Sequence, residues 1–185
     1  MFQFIETLFN RFLRLERWSR DEKDIFVVRV SDSVSGLLYD QVNDRVLLIR
    51  QGRAPMVRDD NPDGHITELI AGRFDVSLGA RALFVKEALE EAGVTLREED
   101  VVLLNNGNPL AVSPGVLTER AYLAFAIIIP AMIDDLGDTG RGCADEGEDI
   151  ERVWMDADHF CNTIHGDLRV FTLALYLRLL RETIP

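Results

Sequence analysis

Three glutamates, Glu87, Glu90 and Glu91, stand at i, i+3 and i+4 in a segment rich in alanine and leucine. On a helix that spacing projects all three carboxylates from one side. Like charges so close repel one another, a cost that packing alone does not explain. Hard divalent cations do explain it, because Mg2+ takes oxygen ligands and bridges to phosphate oxygens. A solvated acidic helix face is the plainer alternative, and for Glu90 and Glu91 alone it would be preferred. The glycine-bounded loop that begins at Gly72 and the Gly93 that closes the segment tip the balance to metal.

Residues 79–92 are the expected carrier helix, with Val85, Ala88, Leu89 and Ala92 on its inward arc, Ala82 beside them and the acidic side opposite. Gly93 stops it in the usual helix-ending position. Short runs rich in Val, Ile and Leu predict strands over 24–30, 36–39 and 45–50, residues 65–71, 101–104, 120–129 and 151–155 read as further strands, and residues 12–18 alternate like another. The Asp/Asn cluster at 40–44 predicts a hairpin, residues 58–64 and 105–117 read as loops, and 168–180 as a closing amphipathic helix. Phe2, Ile5, Leu8, Phe9 and Phe12 recur at helical spacing and predict a short amphipathic helix. It is expected to pack on its own domain or a second subunit, since a membrane-surface helix wants a more basic polar face. Strands around one central helix and a final helix predict an α+β fold, an α/β/α sandwich on a mixed sheet. Residues 1–23 form an N-terminal segment and 24–185 one domain, with no repeat or linker.

A chain of 185 residues suits one sizeable domain. Its net charge of −12 argues against general nucleic-acid binding. Small anionic ligands remain open, because a bound cation reverses the local sign. The acidity gathers at 87–100 and 134–151, the second a glycine-containing stretch expected to be mobile. No run approaches the roughly 20 apolar residues of a membrane span. Cys143 and Cys161 lack metal-like spacing, and with no leader-like start the chain reads as intracellular and cytoplasmic, one disulfide being left open. His65, His159 and His165 are scattered, and Trp18 and Trp154 read as core or interface aromatics.

The stretch from Gly72 to Val94 resembles the Nudix box: Gly72, Glu87, Ala88, Glu90, Glu91, Gly93 and Val94 match its pattern at the right spacing. Leu78 stands where that pattern has its first Glu, and Lys86 where it has Arg. Lysine keeps the charge but not the planar fork that holds a carboxylate, and Leu78 is expected to pack on the core. Further matches resemble the ADP-ribose and GDP-mannose pyrophosphatase subfamily: Gln51-Gly-Arg53, the run from Glu68 to Gly72, Ser113-Pro114-Gly115 with Thr118-Glu119-Arg120, and the acidic run from Ala144 to Ile150.

The resemblance implies a Nudix-like fold and hydrolysis of a nucleoside diphosphate sugar, ADP-ribose first and GDP-mannose or another nucleotide sugar behind it. It implies Mg2+ or Mn2+, more than one ion, on the Ala71 carbonyl, Glu87, Glu91 and Glu148, with Glu90 close by. Glu146 is then the general base. Arg53 suits phosphate or sugar oxygens, with a surface ion pair as the equal alternative. Glu68 and Glu119 are candidates for base or ribose hydroxyls, and Ser113, Pro114 and Gly115 for a loop wall. The resemblance also implies a homodimer with N-terminal strands crossing between subunits. The competing expectations are a binding module that has lost catalysis, motivated by Leu78 and Lys86, and an acidic interaction protein, which leaves the carboxylate spacing unexplained.

Overall fold

The computed structural model describes residues 1–183 apart from 12, 75–76, 143–148 and 164. Its centre is the predicted hairpin of β4 (Ser33–Asp40) and β5 (Arg45–Gly52), whose turn is held by Asp40 accepting from Asn43 and Arg45. Beyond the Leu38–Leu47 pair the two strands part, and β6 (His65–Glu68) and β7 (Ile70–Arg73) fill the gap. β6 pairs with β5 and β7 with β4, both antiparallel, so the single strand expected over 65–71 is two strands hinged at Leu69. β10 (Arg120–Ile128) lies parallel to β4 on its other side, with β8 (Val101–Leu103) and the short β9 (Leu110–Ala111) against it. β11 (Glu151–Asp156) closes the opposite edge against β5. The result among the described residues is a mixed eight-stranded sheet.

Alternation along the strands divides the core in two. Val34, Leu38, Leu47, Ile49, Ala124 and Ile128 meet α1 (Ala80–Ala92) on one face. Leu37, Tyr39, Val46, Leu48 and Phe125 meet α2 (Ala157–Asn162) and α3 (Leu168–Thr183) on the other. Helices thus cover both faces of the sheet, and no described helix is long and apolar enough to cross a membrane. α2, six residues capped by Asp156 accepting from the His159 amide, has no counterpart among the elements expected from the sequence.

Two expectations about side-chain setting are corrected. The inward stripe of α1 is Leu83, Phe84, Ala88, Glu91 and Ala92, whereas Leu89 is 53% exposed. Leu83, Glu87 and Glu91 form one i+4 row and Phe84, Ala88 and Ala92 the next, so the acidic row borders the core instead of opposing it. Leu78 is 39% exposed and is not a core residue.

The N-terminal helix expected from Phe2 to Phe12 is instead β1 (Gln3–Asn10), a strand paired with β2 (Arg14–Arg20), which pairs in turn with β3 (Lys23–Arg29). Irregularities between Phe4 and Glu6 and between Thr7 and Phe9 interrupt the β1–β2 register. Each inserts a residue, which breaks the two-residue period and leaves apolar side chains at spacings that mimic a helix. Glu16 is the buried anchor of this separate sheet: Arg29 donates to both its oxygens and Trp18 to one. The Arg29 guanidinium holds the Glu16 carboxyl down to about 2, against burial. Val28 ties the small sheet to the domain through backbone bonds with Val116 and Thr118.

Candidate active site at the split of the central sheet

Three of the sequence-derived metal candidates sit together because α1 lies across β7. Gly72 faces Glu87 so closely that a β-carbon there would overlap the Glu87 carboxyl group. One turn on, Glu91 is only 2% exposed and its Oε2 accepts the Ala71 amide at 3.0 Å. Burying a carboxylate beside an apolar core is unfavourable unless hydrogen bonds or cations compensate it. Glu90 is exposed and pairs with Lys86 at 2.5 Å, while Lys86 also reaches Glu87 at 3.4 Å. The bond to Glu90 and the charge of Glu87 push the Lys86 ammonium pKa upward. The lysine therefore pairs with carboxylates of its own helix.

All the donors on this face are oxygens, and a side chain at Gly72 would fill the cradle that Glu87 occupies. That chemistry suits a hard divalent cation. Among the described residues no three His, Cys, Asp or Glu side chains are gathered as a metal-holding group. Glu146 and Glu148, expected to complete the set, lie outside the described residues, as does Cys143; Cys161 is a half-buried free thiol.

A second polar cluster occupies the neighbourhood of the split. Arg53, just past β5, donates to buried Glu68 of β6 at 2.8 Å, so the ion-pair alternative for Arg53 is realised. Its side chain remains 40% exposed, which leaves the guanidinium accessible to a ligand as well. Glu119 accepts from the Ser33 hydroxyl at 2.8 Å. Ser113 accepts the Val116 and Leu117 amides through its carbonyl, and Pro114 and Gly115 are exposed in that turn. Gln51 is buried, and its Nε2 has no acceptor among the described residues.

Arg169, at the start of α3, was not singled out from sequence. It is held by Asp167 at 3.0 Å, touches the buried Ser35 hydroxyl at 3.4 Å, and feels the charges of Glu68 and Glu119. Burial opposes its charge, but the Asp167 carboxylate together with the charges of Glu68 and Glu119 raises its pKa. The only signal available was an Asp-x-Arg step at a helix start, common to many surface helices.

No family model matches the chain. Over 117 residues it is 33% identical to a protein named GDP-mannose pyrophosphatase from Enterobacter sp. (strain 638), covering 63% of this chain and 56% of that protein. Over 119 residues it is 34% identical to a GDP-mannose pyrophosphatase from Cronobacter sakazakii (strain ATCC BAA-894), covering 64% of this chain and again 56% of the relative. The chain therefore spans a little over half the length of the curated relatives it matches.

Proposed function

We propose that this chain is a Nudix-type hydrolase that cleaves the diphosphate of a nucleotide sugar with the help of divalent cations, as a homodimer. The observation that carries the reading is the placement of Glu87 and Glu91 against the backbone of Gly72 and Ala71, where packing alone would favour apolar side chains. Glu87 and Glu91 would hold the cation, with Glu90 and the Ala71 carbonyl beside them and Glu148 from the acidic stretch. Bound there, Mg2+ or Mn2+ supplies Lewis acidity and lowers the pKa of an attacking water. Glu146 is assigned the base by resemblance alone. Lys86 holds Glu90 in place and offsets the repulsion along the acidic row. Arg53, steadied by Glu68, presents a guanidinium whose shape fits phosphate or sugar oxygens. A buried amide donor without an acceptor costs about 1–3 kcal/mol, so Gln51 is well suited to receive a ligand oxygen. The names of the relatives move GDP-mannose ahead of ADP-ribose as first substrate, with other nucleotide sugars behind.

A binding module without catalysis is the second reading. The observation in its favour is Lys86, whose ammonium already neutralises two of the carboxylates a metal would use. The deciding measurement is phosphate-coupled turnover of GDP-mannose, ADP-ribose and other nucleotide sugars with Mg2+, beside Glu91→Gln and Glu146→Gln. Metal-dependent cleavage of one compound, lost in both variants, is expected. Tight binding of a panel member with no turnover would replace the enzyme with the binding module.

A further inference from the structure

Two arginines are buried at the C-terminal end of α1, and the chemistry proposed above does not use them. Arg141 and Arg152 are 8% and 7% exposed. Arg141 donates to both Asp134 oxygens and to the Gly137 carbonyl. Arg152 donates to Asp138, to the same Gly137 carbonyl, to Asp134 and to the Ala92 carbonyl in the last turn of α1. The backbone follows the same plan. The Asp134 amide donates to the Gly93 carbonyl at 2.9 Å, the Gly142 amide donates to the Glu90 carbonyl at 3.2 Å, and Arg141 and Ile150 exchange a reciprocal pair of bonds. Gly93 leaves the helix at φ 63°, and a β-carbon there would overlap both Arg141 and Asp134.

Stability alone is a poor account of this arrangement. Burying a guanidinium costs several kcal/mol before its partners compensate, and well-packed apolar residues often serve stability as well or better. What two buried forks provide is direction: each fixes several acceptors at once. We infer that Arg141 and Arg152 are positioning residues, which lock the rotation of α1 and thereby the placement of the Glu87 and Glu91 carboxylates over β7.

The leverage is large. A carboxylate about 6 Å from the helix axis moves roughly 1 Å for each ten degrees of rotation. Misplacement of about 1 Å costs on the order of a hundredfold in rate. Arg152 meets α1 at its carbonyl end, where cations are favoured and orphan carbonyls need donors, and Arg141 acts there through Asp134, whose amide donates to the Gly93 carbonyl. The Gly142 amide, next to Arg141 in the chain, bonds the Glu90 carbonyl, so the brace reaches the turn that carries Glu91.

The inference rests on the metal-dependent reading, and its test separates the two. Arg141→Lys, Arg152→Lys and Asp134→Asn would be made in the full chain. Mn2+ affinity would be read by electron paramagnetic resonance, kcat and KM with GDP-mannose and Mg2+, and stability by urea unfolding. Arg141→Lys and Asp134→Asn should weaken Mn2+ binding about tenfold and lower kcat at least as much, with KM little changed. Arg152→Lys should show the same losses, and Arg141→Lys combined with Asp134→Asn should be no worse than the worse of the two alone, because both break the same link. If a variant does not fold, Asp138→Asn, which loosens only the Arg152 anchor, is read in the same way. Variants that lose stability while keeping wild-type Mn2+ affinity and kcat would show a merely structural brace and overturn the inference. A wild-type chain that binds no Mn2+ would remove the metal-dependent reading and the inference together.

Discussion

Gly72 owes its place to the carboxylate above it, because any side chain there would occupy the space of the Glu87 carboxyl group. Gly79 is different: nothing lies within 4 Å of a β-carbon built on it, and its backbone is extended with φ −74°. Gly72→Ala should therefore lower Mg2+-dependent turnover on the order of a hundredfold, while Gly79→Ala leaves it near wild type. Steady-state assays of the pair decide it, and equal effects would mean that Glu87 is not placed by Gly72. The glutamate spacing was legible because i, i+3 and i+4 carry their own geometry. The burial of Glu91 was not, since an alanine- and leucine-rich helix offers two apolar arcs and only the sheet beneath chooses between them. Arg141, Arg152 and Arg169 were equally hidden, because nothing local tells a buried arginine from a solvated one.

The choice of arc can be measured on α1 as an element. Leu83 is fully buried and Leu89 is mostly exposed, although the periodicity assigned Leu89 to the inside. Leu83→Ala should destabilise by about 2–5 kcal/mol, as large-to-small changes in a core do. Leu89→Ala should stay within about 0.5 kcal/mol, as surface changes do. Urea unfolding of the two variants gives the answer, and the reverse order would restore the arc read from sequence. The other elements divide along the same lines. β4, β5 and β10 were readable from their Val, Ile and Leu, and α1 from its closing glycine. β1 was not, because bulges at Ile5 and Leu8 destroy the alternation by which a strand is recognised. α2 escaped because six residues are too few to show a period.

On the scale of the molecule, β1 is exposed along its whole length, with Phe4, Ile5, Leu8 and Phe9 among its exposed side chains, and Phe26 of β3 is exposed as well. Contiguous apolar patches mark interaction surfaces in soluble proteins, and the dimer reading puts one here. The proposed homodimer predicts that sedimentation at micromolar concentration finds two chains per particle, and that Phe4→Asp with Phe9→Asp yields monomers. A wild-type chain that sediments as a monomer would rule out this interface.

The parallel pairing of β4 with β10 has a consequence in time. Ser33 finds its partner at Ala121, so the middle of the sheet waits for a segment nearly ninety residues downstream. Until β10 arrives, the surface that receives Phe84 is incomplete, since that ring rests between Gly36 of β4 and Ala124 of β10. The brace at the other end of α1 comes later still, from Arg141 and Arg152. During synthesis the acidic helix therefore emerges with β4, β5 and β7 already made but before β10 and the two arginines that complete its setting.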